Sequence, residues 1–182
     1  MTASGAWIPT SPVIDELGFP LGTRMQTFYL DEQHPNSLMP GKRPRTTLSP
    51  SMAMRAAEPD LAFGTPGGDQ QDQWTLQFFL NLVDFGMNLQ EAIEAPKFSS
   101  AHFPSTFYPH NAMPAVVRVE DRIYAGVRSE LSAWGHKVEV RPGWSEGRVL
   151  AVSLDRARGL VQGGCDPRGQ AQPVMAAQVI GW

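Results

Sequence analysis

The stretch AFGTPGGDQQDQW, Ala62 to Trp74, sets a proline and two adjacent glycines between a short apolar run and a long helical pattern. LAFG, Leu61 to Gly64, reads as a short buried strand, and residues 69–85 read as a helix in which Trp74, Phe78 and Leu82 recur every four positions. Leu76, Phe79 and Val83 fill the neighbouring positions and leave Gln77, Asn81 and Asp84 as the one polar stripe, so the pattern predicts a mostly buried helix. Between the two elements, Gly67 and Gly68 permit a tight turn and carry no side chain over their own N–H groups. With a helix starting just beyond, those N–H groups and the first-turn donors point outward together at the positive end of the helix dipole. From the residues alone the turn has two readings: a seat for an oxyanion, or a compact strand-to-helix connection.

The flanking sequence predicts the rest of the architecture. Residues 1–50 are rich in Pro, Gly, Ser and Thr, and read as an irregular segment with one short strand at Phe28-Tyr29-Leu30. Gly86 is placed to end the first helix, and Asn88 with Glu91 forms the capping-box signature of a second that Pro96 stops. AVVRVE reads as a strand, followed by a third helix with Ile123, Val127, Leu131 and Trp134 on one face and Gly135 at its end. Val138 and Val140, RVLAVSL, the turn DRARG, LVQGG and PVMAAQVIG then alternate in strand fashion. The expectation is an α+β or layered α/β/β/α arrangement with antiparallel strands late in the chain, in a single domain over 1–182.

Several functional classes lack support. A net charge of −3 supplies no basic field for nucleic acid or an anionic membrane. The longest apolar candidate, WTLQFFLNLVDF, is interrupted by Gln77, Asn81 and Asp84 and falls short of a span of about 18 apolar residues. The first residues, MTASGAWIPTSPV, lack the basic and apolar regions of a secretory signal. The single cysteine, Cys165 in QGGCDPRGQ, excludes an internal disulfide and reads as structural. His34, His102, His110 and His136 have no metal-ligand spacing, and no GxSxG, Walker or GxGxxG motif is present, so neither metal nor cofactor is expected. GKRPRTTLSP puts Thr46, Thr47 and Ser49 close together, either as a solvated loop or as hydroxyls for a polar ligand.

Three blocks in order, GKRPRTTLSPSMAMR, LAFGTPGGDQQDQWTLQFFLNLVDFGMNLQEAIEAPKF and GCDPRGQAQPVMAA, resemble the small subunit of the γ-glutamyltranspeptidases. That resemblance implies an N-terminal nucleophile hydrolase with an α/β/β/α sandwich, made as a precursor that cleaves itself into a large and a small subunit. It implies a threonine, first in the small subunit, that attacks an amide, forms an acyl-enzyme and passes the acyl group to water or an amine. Gly67 and Gly68 then match the glycine pair that holds the tetrahedral intermediate.

The match has departures. Thr46 and Thr47 stand where γ-glutamyl-specific members have two serines that bind the substrate α-carboxylate. GTRMQTF replaces a run whose aspartate pairs with the substrate α-amino group, placing Thr27 or Gln26 at the acid's position and Arg24 close by. A neutral residue lacks the charge-assisted bond an ammonium requires, and a pocket-facing Arg24 would repel it, which points to a related acyl amide. MTASGAW matches a stretch that follows the nucleophile in the family, so the attacking threonine is expected upstream; Thr2 is a poor substitute, because behind Met1 its nitrogen is an amide. The expectation is part of a small subunit with a large-subunit partner and a tendency to self-associate when alone. The competing reading is a non-catalytic binding or assembly remnant.

Overall fold

The computed structural model describes residues 11–169. Thr2 and the closing PVMAAQVIG stretch lie outside the described residues. The chain groups into two compact units, residues 11–48 with 104–112 and residues 49–103 with 113–169.

In the first unit β1 (Val13–Ile14) and β2 (Phe19–Pro20) form a small antiparallel hairpin, followed by a 3-10 turn over Arg24–Thr27. The strand expected at Phe28–Leu30 is replaced by a single bridge between Tyr29 and Ser37. The Phe28 N–H closes the preceding turn on the Met25 carbonyl at 3.0 Å, so Phe28 has no donor left for a ladder. Side-chain stacking holds the segment instead. The Tyr29 ring lies 3.6 Å from that of His34 and 3.9 Å from that of His110, and His110 Nδ1 and Nε2 meet the carbonyls of Ser105 and Phe28.

The second unit is built on β3 (Ser51–Arg55), β4 (Glu58–Gly64), β8 (Leu150–Asp155) and β9 (Leu160–Cys165), antiparallel in the order β3-β4-β8-β9. One face is covered by α1 (Gln71–Val83) and α2 (Leu89–Glu94). Leu61 and Ala151 from the sheet meet Phe78, Ala92 and Ile93 from the helices, with Val149 between, and Phe63, Phe79, Leu82 and Leu89 pack around them. The Asn88–Glu91 capping box forms in both directions, and Gly86 and Gly135 take positive φ where α1 and the third helix end.

Strand alternation sends the other residues to the opposite face, where Met52, Ala62 and Val152 lie in one register row. Met52 is 64% and Val152 47% exposed, so among the described residues this row of the second face is apolar and open. The first helix departs from expectation in the same way. Trp74, Thr75 and Phe78 are buried, but Leu76, Leu80 and Val83 are exposed, because only one side of α1 has a sheet beneath it. Its polar residues do not all face solvent either. The Gln73 and Gln77 carboxamides each donate to and accept from the backbone of β5 (Phe98–Ser100), pairing Ser100 and Phe98 at 2.7–3.1 Å and occupying a strand edge.

A second sheet of order β5-β6-β7 contains β6 (Val116–Glu120) and β7 (Lys137–Arg141), parallel and linked through α3 (Ala125–Ala133). The sequence pattern did not separate this crossover from the antiparallel strands that follow. The expected apolar face of the third helix is not buried: Val127 and Trp134 are 45% and 70% exposed, since α3 lies over the edge strand β7 with nothing outside it among the described residues.

Candidate active site

Gly67 and Gly68 occupy the junction between β4 and α1, as their spacing predicts. Gly67 has φ +143° and Gly68 φ +64°, two consecutive conformations that side-chain-bearing residues rarely adopt. A 3-10 turn over Gly68–Gln70 leads into α1, and neither glycine N–H makes a hydrogen bond to another described residue. The first turns carry two carboxylates, Asp69 and Asp72, of which Asp72 accepts the Ser49 hydroxyl at 2.8 Å. These acids offset the positive end of the helix dipole, so the turn offers directed N–H groups rather than net positive charge.

The turn is braced on both sides. Thr65, buried, donates its hydroxyl to the Pro66 carbonyl and accepts the Arg148 N–H, each at 2.9 Å. Beneath Gly67 lies the Trp74 indole: a Cβ placed on Gly67 would come within 2.2 Å of Cζ3. The same ring backs onto Gly147, where a Cβ would lie 3.1 Å from Cγ and Cδ2 of Trp74 and from Cδ of Lys97.

Below this loop is a buried charge network that the sequence reading missed. Arg168 Nε and NH2 donate to the two Glu120 oxygens at 2.9 and 3.0 Å, and NH1 donates to both Asp166 oxygens at 2.9 and 2.8 Å. Lys97 Nζ donates to Asp166 Oδ2 at 3.1 Å and to the Ile93 carbonyl. Arg122 donates to Glu120 Oε2, and its guanidinium lies 3.7 Å over the Trp144 ring. Glu120 Oε1 accepts the Glu146 N–H, and the Glu146 carboxylate accepts the Ser99 hydroxyl, so the network pins the residue before Gly147. Burial opposes the Glu120 carboxylate, but hydrogen bonds from Arg168, the Glu146 N–H and Arg122 outweigh it and hold its pKa at about 2. Lys97 is the opposite case: burial lowers it to about 8 despite Asp166 beside it. The signal for this cluster was present in charged residues set inside apolar or turn blocks, Lys97 in APKF, Glu120 closing VVRVE and DPR at 166–168, but nothing in their spacing joins them.

The other candidate residues lie in the first unit. Thr27 is 1% exposed and donates its hydroxyl to the Arg24 carbonyl at 2.8 Å. The Arg24 guanidinium sits 5.2 Å from the Phe107 ring centroid. Thr46 is exposed, its hydroxyl accepting the Leu48 N–H at 3.1 Å, and Thr47 is half-buried. In the second unit, Cys165 at the end of β9 is half-buried, and its carbonyl accepts the Gln90 carboxamide at 2.9 Å.

Comparison with known proteins places this arrangement. The family model for gamma-glutamyltranspeptidase matches residues 1–176. The glutathione hydrolase-like YwrD proenzyme of Bacillus subtilis is 34% identical over 161 residues, 87% of this chain and 29% of that protein. Among solved structures, LmbA2991HD is 52% identical with a TM-score of 0.82, covering 91% of this chain and 29% of that one. A mutant of Helicobacter pylori gamma-glutamyltranspeptidase is 28% identical with a TM-score of 0.70, covering 86% of this chain and 85% of the matched one. The chain thus spans about three tenths of YwrD and of LmbA2991HD. Its helices on a largely antiparallel sheet are the α+β fold of the N-terminal nucleophile hydrolases, and the chain belongs to the gamma-glutamyltranspeptidase family.

Proposed function

We propose that this chain is the small-subunit part of a γ-glutamyltranspeptidase-like amide hydrolase or acyltransferase, in which the Gly67 and Gly68 N–H groups hold the oxyanion. The observation that carries the reading is the turn itself: two consecutive positive-φ glycines at the head of α1 whose N–H groups are unused among the described residues. In the reaction, a threonine preceding this chain attacks the acyl carbon, and its proton passes to its own α-amino group. The carbonyl oxygen takes the electron pair and accepts hydrogen bonds from the glycine turn as the tetrahedral centre forms. Collapse expels the amine with a proton and leaves an ester, which water or an acceptor amine then cleaves by the same steps in reverse.

The open face of the four-stranded sheet supports a second layer supplied by a large subunit, because a row of Met52, Ala62 and Val152 suits burial rather than water. The family resemblance keeps Thr46 and Thr47 as candidates for binding a substrate carboxylate. It keeps Arg24 and Thr27 as the replacements for an amine-binding acid, which favours an acyl amide without a free α-ammonium.

The test compares the isolated chain with a protein extended upstream through a threonine-led strand and large-subunit region. Each is assayed for p-nitroaniline release from γ-glutamyl anilide and from acyl anilides that lack the amine. Activity confined to the extended protein, and greater on the amine-free anilides, is the expected result. Turnover by the isolated chain, lost in Thr2→Ala, would overturn it, and an inert, uncleaved extended protein would favour the binding remnant.

A further inference from the structure

We infer that Trp74 is the positioning residue of the glycine turn: its indole, packed against Gly67 at Cζ3 and against Gly147 at Cγ and Cδ2, sets the direction in which the Gly67 and Gly68 N–H groups point. The inference rests on the oxyanion reading above and adds to it the side chain that aims the donors. Three observations carry it. First, the fit on the Gly67 side leaves no room for even a methyl group, since a Cβ would approach Cζ3 of Trp74 to 2.2 Å. The plane of the ring therefore fixes how the φ +143° residue sits on it, and a shift of the ring moves the turn.

Second, the five-membered part of the ring is held too, against a second glycine. Gly147, at φ +74°, and the Lys97 stem meet where a Cβ would lie 3.1 Å from Trp74 and Lys97 alike. The segment containing Gly147 is itself fixed at both ends. The Glu146 N–H donates to Glu120 at 3.1 Å and the Arg148 N–H to the Thr65 hydroxyl at 2.9 Å, so the buried charges, Gly147, the indole and the glycine turn form one contiguous stack.

Third, Trp74 is 9% exposed, yet its Nε1 makes no hydrogen bond among the described residues. A buried tryptophan usually finds an acceptor for this N–H. Here the ring is retained for its shape, and a flat ring without the N–H should serve in its place.

The experiment uses the extended protein with Trp74→Phe, Trp74→Leu and Gly147→Ala, and with Gly68→Ala as the control for the oxyanion reading. Melting temperature, kcat and KM are measured on the acyl anilide that wild type turns over. Phe and Leu both fill the core, but only Phe is flat. Trp74→Phe should keep kcat within about 5-fold of wild type, whereas Trp74→Leu and Gly147→Ala should lower it by roughly 100-fold, the scale expected for donors displaced by about 1 Å. KM should change by less than about 3-fold in all three, because the turn acts on the developing charge rather than on substrate binding. Equal kcat in the Phe and Leu variants, with Gly68→Ala impaired, would overturn the role of Trp74 and leave the oxyanion reading standing. Exchange of the Gly68 amide for an ester, which removes that N–H and adds no side chain, should lower kcat by roughly 100-fold, and an unimpaired ester variant would overturn both. A loss in Trp74→Leu that follows melting temperature and raises KM together with lowering kcat would mark the ring as core packing only and overturn the inference.

Discussion

Replacing Arg168 by methionine removes the centre of the buried network while keeping most of the side-chain volume. Its side chain is 1% exposed, and it meets four carboxylate oxygens of Glu120 and Asp166 at 2.8–3.0 Å, besides the carbonyl of Ala95 at 3.1 Å. In the variant, Glu120 retains Arg122 and the Glu146 N–H, and Asp166 retains Lys97, so neither carboxylate is wholly stranded, but each loses its bidentate partner. Removing one member of a buried pair costs about 3–5 kcal/mol, because the partner keeps its desolvation penalty. For a chain of this size that lowers the melting temperature by roughly 6–20 °C. Glu120→Gln should be costly for the same reason. Arg168→Met combined with Glu120→Gln should lose less than the sum, by about 1–3 kcal/mol, since each single variant leaves a charge that the double variant removes. Urea unfolding followed by far-UV circular dichroism on wild type, both singles and the double gives the cycle. Additivity within about 0.5 kcal/mol, or a loss below about 1 kcal/mol in Arg168→Met, would refute the claim that these charges act as one buried unit.

Further expectations concern pH, the glycine turn and the chain on its own. The Glu120 carboxyl is held at about 2 against an ordinary 4.5, so its stabilisation is complete above about pH 4.5 and is lost as pH falls towards 2. That difference is worth about 3 kcal/mol, and Glu120→Gln should flatten that limb of a stability-against-pH curve. Lys97, lowered from 10.5 to about 8, has the opposite consequence: stability gains a rising contribution between about pH 8 and 10.5, which Lys97→Met should abolish. In the extended protein, Gly68→Ala keeps the N–H but strains the φ +64° backbone that aims it, and should reduce kcat by roughly 100-fold, whereas Gly67→Ala should damage folding, because its Cβ collides with Trp74. The isolated chain should sediment as more than a monomer at micromolar concentration, driven by its open sheet face, and Met52→Lys with Val152→Lys should return it to a monomer.

What could be read from the sequence is local. The LAFG strand, which forms within Glu58–Gly64, the helix expected over 69–85, which forms over Gln71–Val83, the Asn88–Glu91 capping box and the glycine turn are each specified by neighbours within a few residues. Burial of α1 was overstated for a physical reason: Leu76, Leu80 and Val83 have the period of a core helix but no layer over them among the described residues. The Phe28–Leu30 run has strand composition, yet the 3-10 turn takes the Phe28 N–H, the Tyr29 N–H goes to the Asn36 carbonyl in a single bridge, and the Tyr29 ring stacks on His34 and His110. Around the candidate site, the glycines were legible because positive φ leaves a mark in composition. Trp74 read as one more apolar helix position, although it is the ring against which the turn rests. The charge network was invisible because its members, Lys97, Glu120, Asp166 and Arg168, are scattered over more than 70 positions and meet only through the pairing of the strands and α2.

Intact-mass spectrometry of the extended protein before and after brief exposure to an acyl anilide tests the central claim most directly. The account predicts two polypeptides from one precursor, with the acyl mass added to the one that contains Gly67 and removed again by water or an added amine. A single uncleaved polypeptide, or acyl mass on the other chain, would contradict it.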